Sequence, residues 1–91
     1  MKYGFIGCGN MGGAIARALA KATRDFAITD RSGRAIALAA EIPCGYFSAE
    51  EIASRCERIF LGVKPHMMKG VLEPLREILA EKKPLLITMA A

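Results

Sequence analysis

Near the amino terminus the chain runs Gly4-Phe5-Ile6-Gly7-Cys8-Gly9-Asn10-Met11-Gly12-Gly13-Ala14-Ile15. A short apolar segment, glycines spaced as G-x-G-x-x-G and a helical pattern follow one another without a break. Gly7 permits a tight turn out of a strand. Gly9 lets backbone approach a pyrophosphate with no Cβ in the way, and Gly12 allows a helix to lie close to a sheet. The helix that follows directs its free N–H groups, and about half a positive charge, toward the same point. The stretch predicts a diphosphate-binding turn at the opening of an α/β fold. The competing interpretation is a strand, turn and helix with no ligand.

The surroundings support the first interpretation. Within the strand expected at 2–6, residues 3–6 have the apolar, β-prone character of a buried parallel strand. Met11, Ile15, Ala18, Leu19 and Ala22 recur at helical spacing and predict the core-facing stripe of helix 10–21. A second apolar run, Phe26-Ala27-Ile28-Thr29, ends in Asp30. That position is close to the offset of about 20 residues at which an acidic group meets the adenosine ribose.

Further strands are expected at 44–47, 58–63 and 85–89, with helices between them. Pro43 and Gly45 mark 44–47 as an edge strand. Ser48 and Glu51 form a capping box that opens a helix to about residue 55. Apolar residues from Met67 through Leu79 predict a helix that Pro74 kinks or splits. An alanine-rich face with Ile36 is expected to bring helix 33–41 close to the sheet. The apolar strand 85–89 has the character of a central strand. The fold class is therefore α/β: a Rossmann-type, doubly wound parallel sheet of about five strands with helices on both faces.

Ninety-one residues, 53% of them hydrophobic, suit one small domain and argue against disorder. The apolar runs are short for a membrane span, and no signal-peptide pattern precedes the first strand. The net charge of +4 comes from dispersed Lys and Arg without interleaved aromatics, which argues against nucleic acid as partner. Cys8, Cys44 and Cys56 lack metal-site spacing. Reduced thiols and a cytoplasmic location are expected, with no metal. Because an apolar strand meets the end of the sequence at Ala90-Ala91, the chain is expected to be the front part of a longer protein.

Two segments together resemble the amino-terminal part of pyrroline-5-carboxylate reductases. One is the stretch from Gly4 to Gly12; the other is Phe60-Leu61-Gly62-Val63-Lys64-Pro65-His66. The closing Leu86-Ile87-Thr88-Met89-Ala90-Ala91 is similar to the family's strand ending in Ile-Ala-Ala-Gly. The resemblance implies NAD(P)H-dependent reduction of 1-pyrroline-5-carboxylate to L-proline, the last step of proline biosynthesis. Residues 1–91 would be the NAD(P)-binding Rossmann domain. The helical domain that dimerises and holds substrate in the family is absent, so this chain alone is expected to be inactive. The parent protein would be a homo-oligomer. Two alternatives stay open: another NAD(P)-dependent oxidoreductase of the same group, such as a deazaflavin-dependent NADP reductase, or a non-catalytic nucleotide-binding regulatory domain.

The resemblance also distributes roles. The backbones of Gly9, Asn10, Met11 and Gly12 would line the pyrophosphate, with Gly7 making the turn. Val63, Lys64 and Pro65 would flank the nicotinamide ribose, and the small Ala90 would admit the nicotinamide ring. No residue is assigned as a catalytic acid or base. Ala49 stands where relatives carry an asparagine that contacts cofactor, which implies weaker affinity. Cofactor choice is contested within the sequence. Asp30 favours the free 2′-hydroxyl of NAD(H), whereas Arg31, Ser32 and Arg34 suit the 2′-phosphate of NADP(H). The balance leans slightly to NADP(H), with NAD(H) open.

Overall fold

The computed structural model describes residues 1–7, 10–30, 34–41 and 44–88, without the side chains of residues 10–12, 34 and 35. Five strands, β1 (Tyr3–Ile6), β2 (Phe26–Thr29), β3 (Gly45–Tyr46), β4 (Arg58–Leu61) and β5 (Leu85–Thr88), alternate with helices. The helices are α1 (Asn10–Ala20), α2 (Arg34–Glu41), α3 (Ala49–Arg55), α4 (Met68–Leu72) and α5 (Arg76–Lys82). The strands form a single parallel sheet in the order β3-β2-β1-β4-β5. The chain first builds outward from β1 to β3, then crosses back to lay β4 against the other side of β1. Right-handed connections therefore put α1 and α2 on one face and the later helices on the other. This is the doubly wound Rossmann-type arrangement.

The two-residue period of the strands sorts their side chains between the faces. Phe5, Phe26 and Ile28 pack with Ala16 of α1 and Leu38 of α2. Phe5 stacks on Phe60 at 4.8 Å between ring centroids and meets Phe26 edge-on at 5.9 Å. On the opposite face Ile6, Ala27, Ile59 and Leu61 pack with Ile52 and Ala53 of α3 and with Leu75. Each large side chain buried this way contributes roughly 1.5–3 kcal/mol.

Several details differ from the periodicity alone. Among the described side chains of α1 the fully buried one is Ala16, flanked by half-buried Ile15 and Leu19; Ala18 and, just beyond the helix, Ala22 are exposed. Among the described side chains of α2 the buried one is Leu38, and Ile36 lies in solvent at 59% exposure. An alanine-rich helix carries a weak directional signal, and contact with the bulky Phe5 and Ile28 decides which side faces the sheet. Met67 is exposed, while Met68, Val71, Leu72, Ile78 and Leu79 pack on the core as expected.

Pro74 does divide its helix. A 3-10 turn, Glu73–Leu75, separates α4 from α5, because proline has no N–H to continue the α ladder. The strand expected at 58–63 stops at Leu61. Gly62 still donates to Ile6 O at 2.8 Å, after which the chain leaves for a 3-10 turn opened by Pro65. β3 lies at the sheet edge as expected. β5, apolar enough for a central place, lies at the other edge with Leu85 57% and Leu86 38% exposed.

Candidate functional site

The carboxyl ends of the three central strands converge. Gly7, immediately after β1, donates its N–H to Thr29 O of β2 at 2.9 Å, and Gly62 after β4 donates to Ile6 O at 2.8 Å. Gly7 has φ +91°, a conformation closed to most side chains. A Cβ at Gly7 would sit 2.7 Å from Gly62 O and 2.8 Å from Val63 Cγ1. Both features require glycine here: the turn needs positive φ, and the loops after β1 and β4 touch. α1 then begins at Asn10 with no acidic residue in its first turn.

Beside this crossing point lies a cavity of about 250 Å³ on the α3 side of the sheet. Ile6, Val71, Pro74 and Leu75 give it apolar walls; Thr29, Asp30 and Glu50 supply polar groups, and Gly7, Ala49 and Gly70 complete the lining. Pockets for whole ligands commonly exceed about 300 Å³. The volume suits one nucleoside portion of a larger ligand rather than a complete dinucleotide.

The local sequence explains how α3 reaches this rim. Ser48 Oγ accepts from Glu51 N at 3.2 Å, fixing the start of α3 so that Ala49 and Glu50 face the cavity. The Ser48 hydroxyl also donates to Glu51 Oε1 at 3.3 Å. On the other wall, the Pro74 turn places Leu75, 1% exposed, between the core and the cavity.

Of the residues singled out in the sequence, Gly7 and Asp30 line the cavity together, and Val63 packs beside Gly7. Lys64 and Pro65 are exposed in the turn after β4 and do not line it. Asn10, Met11 and Gly12 form the first turn of α1, and Arg34 opens α2; their side chains lie outside the description. Gly9, Arg31, Ser32 and Ala90, together with Cys8, lie outside the described residues. Sequence reading passed over Gly70, Val71, Pro74 and Leu75 as lining, since they carry a helical core pattern and no chemical signature. It also passed over Gly4, where a Cβ would lie 2.5 Å from Ile52 Cγ2 and 2.8 Å from Cys56 Sγ. That glycine lets α3 sit directly on β1.

The remaining thiols are structural. Burial pushes the Cys56 thiol up, and its Sγ donates to Tyr3 O at 3.4 Å; burial raises Cys44 as well. Among the described residues no group of three or more His, Cys, Asp or Glu could hold a metal, and no helix is long and apolar enough to cross a membrane.

Residues 2–91 match the family model described as NADP oxidoreductase, coenzyme F420-dependent. The chain belongs to this family. It is also similar over its length to solved pyrroline-5-carboxylate reductases, as its two sequence segments suggested. With the enzyme from Coxiella burnetii it shares 30% identity and a TM-score of 0.87, covering 99% of this chain and 35% of that one. With the enzyme from Streptococcus pyogenes the values are 32% and 0.79, over 100% and 34%. The Plasmodium falciparum pyrroline carboxylate reductase, solved with NADP bound, gives 30% and 0.78, over 99% and 33%. The chain thus spans about a third of the length of these structures. No curated protein matches it. The family and its solved neighbours are NAD(P)-dependent oxidoreductases, and the glycine cradle at Gly7 fits such a cofactor.

Proposed function

We propose that this chain is the NAD(P)-binding domain of a pyrroline-5-carboxylate reductase, the cytoplasmic enzyme that reduces the cyclic imine to L-proline. The observation that carries the proposal is Gly7. Its positive φ and the closeness of Gly62 and Val63 leave no room for a side chain where the chain leaves β1, beside the end of β4. Ligands of open α/β sheets bind at this switch in strand order. The whole-length similarity to pyrroline-5-carboxylate reductases near 30% identity supports the substrate.

In this proposal the turn from Gly7 through Gly9, with the backbones of Asn10, Met11 and Gly12, receives the diphosphate. Asp30, Arg31, Ser32 and Arg34 surround the adenosine ribose. The apolar walls formed by Ile6, Val71 and Pro74 accept the adenine. Val63, Lys64, Pro65 and Ala90 lie toward the nicotinamide, which supplies the hydride. The protonated imine is already electrophilic, so the protein's task is alignment rather than acid–base work. NADP(H) is slightly preferred, through the cationic patch after β2 and in keeping with the NADP-bound neighbour.

Substrate anchoring and homo-oligomerisation belong to the part of such enzymes beyond the span matched here. The 91-residue chain therefore binds cofactor without turnover. Calorimetric titration with NADPH, followed by a test for NADPH oxidation with 1-pyrroline-5-carboxylate, checks both halves. A folded chain that ignores both nicotinamide cofactors refutes the site; steady turnover refutes the division of labour. The family description favours a second reading, hydride exchange between NADP and a deazaflavin such as coenzyme F420. A protein carrying this domain that reduces F420 but not the imine would establish it.

A further inference from the structure

We infer that Glu50 is a specificity-determining residue that disfavours a 2′-phosphate on the adenosine ribose and so narrows the margin between NADP(H) and NAD(H). The inference rests on the cofactor site proposed above. Glu50 lines the same cavity as Thr29 and Asp30, on the facing element α3. Its neighbour Glu51 is held by the Ser48 cap and lies 3.7 Å from Arg55 across an ion pair. The Glu50 side chain has no hydrogen bond or ion pair with the described residues. Glu50 therefore brings a negative charge to the cavity that Thr29 and Asp30 line at the end of β2, the side of the fold class on which the ribose 2′ position falls.

A phosphomonoester carries a charge of about −1.5 to −2 at neutral pH, whereas a ribose hydroxyl carries none. Only the phosphorylated cofactor feels the repulsion. The sign is the same as that of Asp30 and opposite to that of Arg31 and Arg34 in the sequence that follows β2. The bland alternative is that Glu50 serves only the α3 macrodipole, as acidic residues in a first turn commonly do. That role would affect folding and leave cofactor discrimination untouched.

The test is calorimetric titration of the full 91-residue chain and its Glu50→Gln variant with NADP⁺ and with NAD⁺, alongside thermal melts. The expected result is an affinity for NADP⁺ about three- to tenfold higher in the variant, with NAD⁺ changed less than about twofold. The gain should shrink as ionic strength rises from about 0.1 M to about 1 M, where the screening length falls to about 3 Å. Equal changes for both cofactors, or an unchanged ratio, overturn the inference while leaving the site standing. Failure of both cofactors to bind either folded protein overturns the site and the inference together. A Glu50→Lys variant, expected to move the ratio further in the same direction, guards against a result peculiar to glutamine.

Discussion

Replacing Gly7 by alanine perturbs the structure at its most constrained point. The new Cβ would lie 2.7 Å from Gly62 O, 2.8 Å from Gly62 C and 2.8 Å from Val63 Cγ1. The backbone at φ +91° would also have to hold an L side chain. Such a conformation costs about 1–3 kcal/mol, and overpacking costs about 1–3 kcal/mol more. The sum, about 2–6 kcal/mol, is a large part of the roughly 5–14 kcal/mol available to a domain of this size. With a urea slope of about 1 kcal/mol per M, the midpoint should fall by about 2 M or more. Gly13→Ala is the control: a Cβ there meets nothing within 4 Å, inside α1. It should stabilise the protein by about 0.5–1 kcal/mol. A Gly7→Ala protein within about 0.5 kcal/mol of wild type would refute the claim that the loops after β1 and β4 are locked together.

Three other outcomes are expected. Lys83, which ends α5 at φ 50° and ψ 51°, should gain about 0.5–1 kcal/mol as Lys83→Gly, read as a higher urea midpoint, because glycine adopts this cap without strain. Leu75→Ala should lose about 2–5 kcal/mol in the same assay and also weaken cofactor binding, since Leu75 belongs to both the core and the cavity wall. The third concerns Arg17 of α1 and Glu41 of α2, which are hydrogen-bonded on the surface. The Arg17 hydrogen bond holds the Glu41 carboxyl below its usual range. A lowered folded value means that the pair supports the fold above the unfolded carboxylate range and loses this as pH falls through the folded value. Denaturation of wild type and Glu41→Gln should therefore differ at about pH 7, and the gap should narrow as the pH falls; a constant gap would contradict the pairing.

Much of the fold was legible because its signals are local. The Gly7 turn, the strand before it and the helix after it lie within a dozen residues, and each is set by backbone sterics. The Ser48–Glu51 capping box and the Pro74 break are likewise matters of neighbouring donors and acceptors, and both are present. Pro43 and Gly45 correctly marked an edge strand. The site was legible only in part. Asp30 could be placed by its distance from the glycine turn, whereas nothing local distinguishes a leucine that lines a cavity from one that fills a core.

The amino-acid sequence by itself determined the order of strands and helices, the glycine turn and the family to which they lead. It did so because those features depend on conformational limits and hydrogen-bonding needs within a few residues. Tertiary structure alone decided that Ala16 of α1 and Leu38 of α2 are buried against the sheet, and that α3 presses on Gly4. It also decided that β5 lies outside β4 in the described sheet and that Glu50 shares a cavity with Asp30. These depend on which surfaces meet once the strands and helices have packed, and residues in different elements have no local means of recording that meeting.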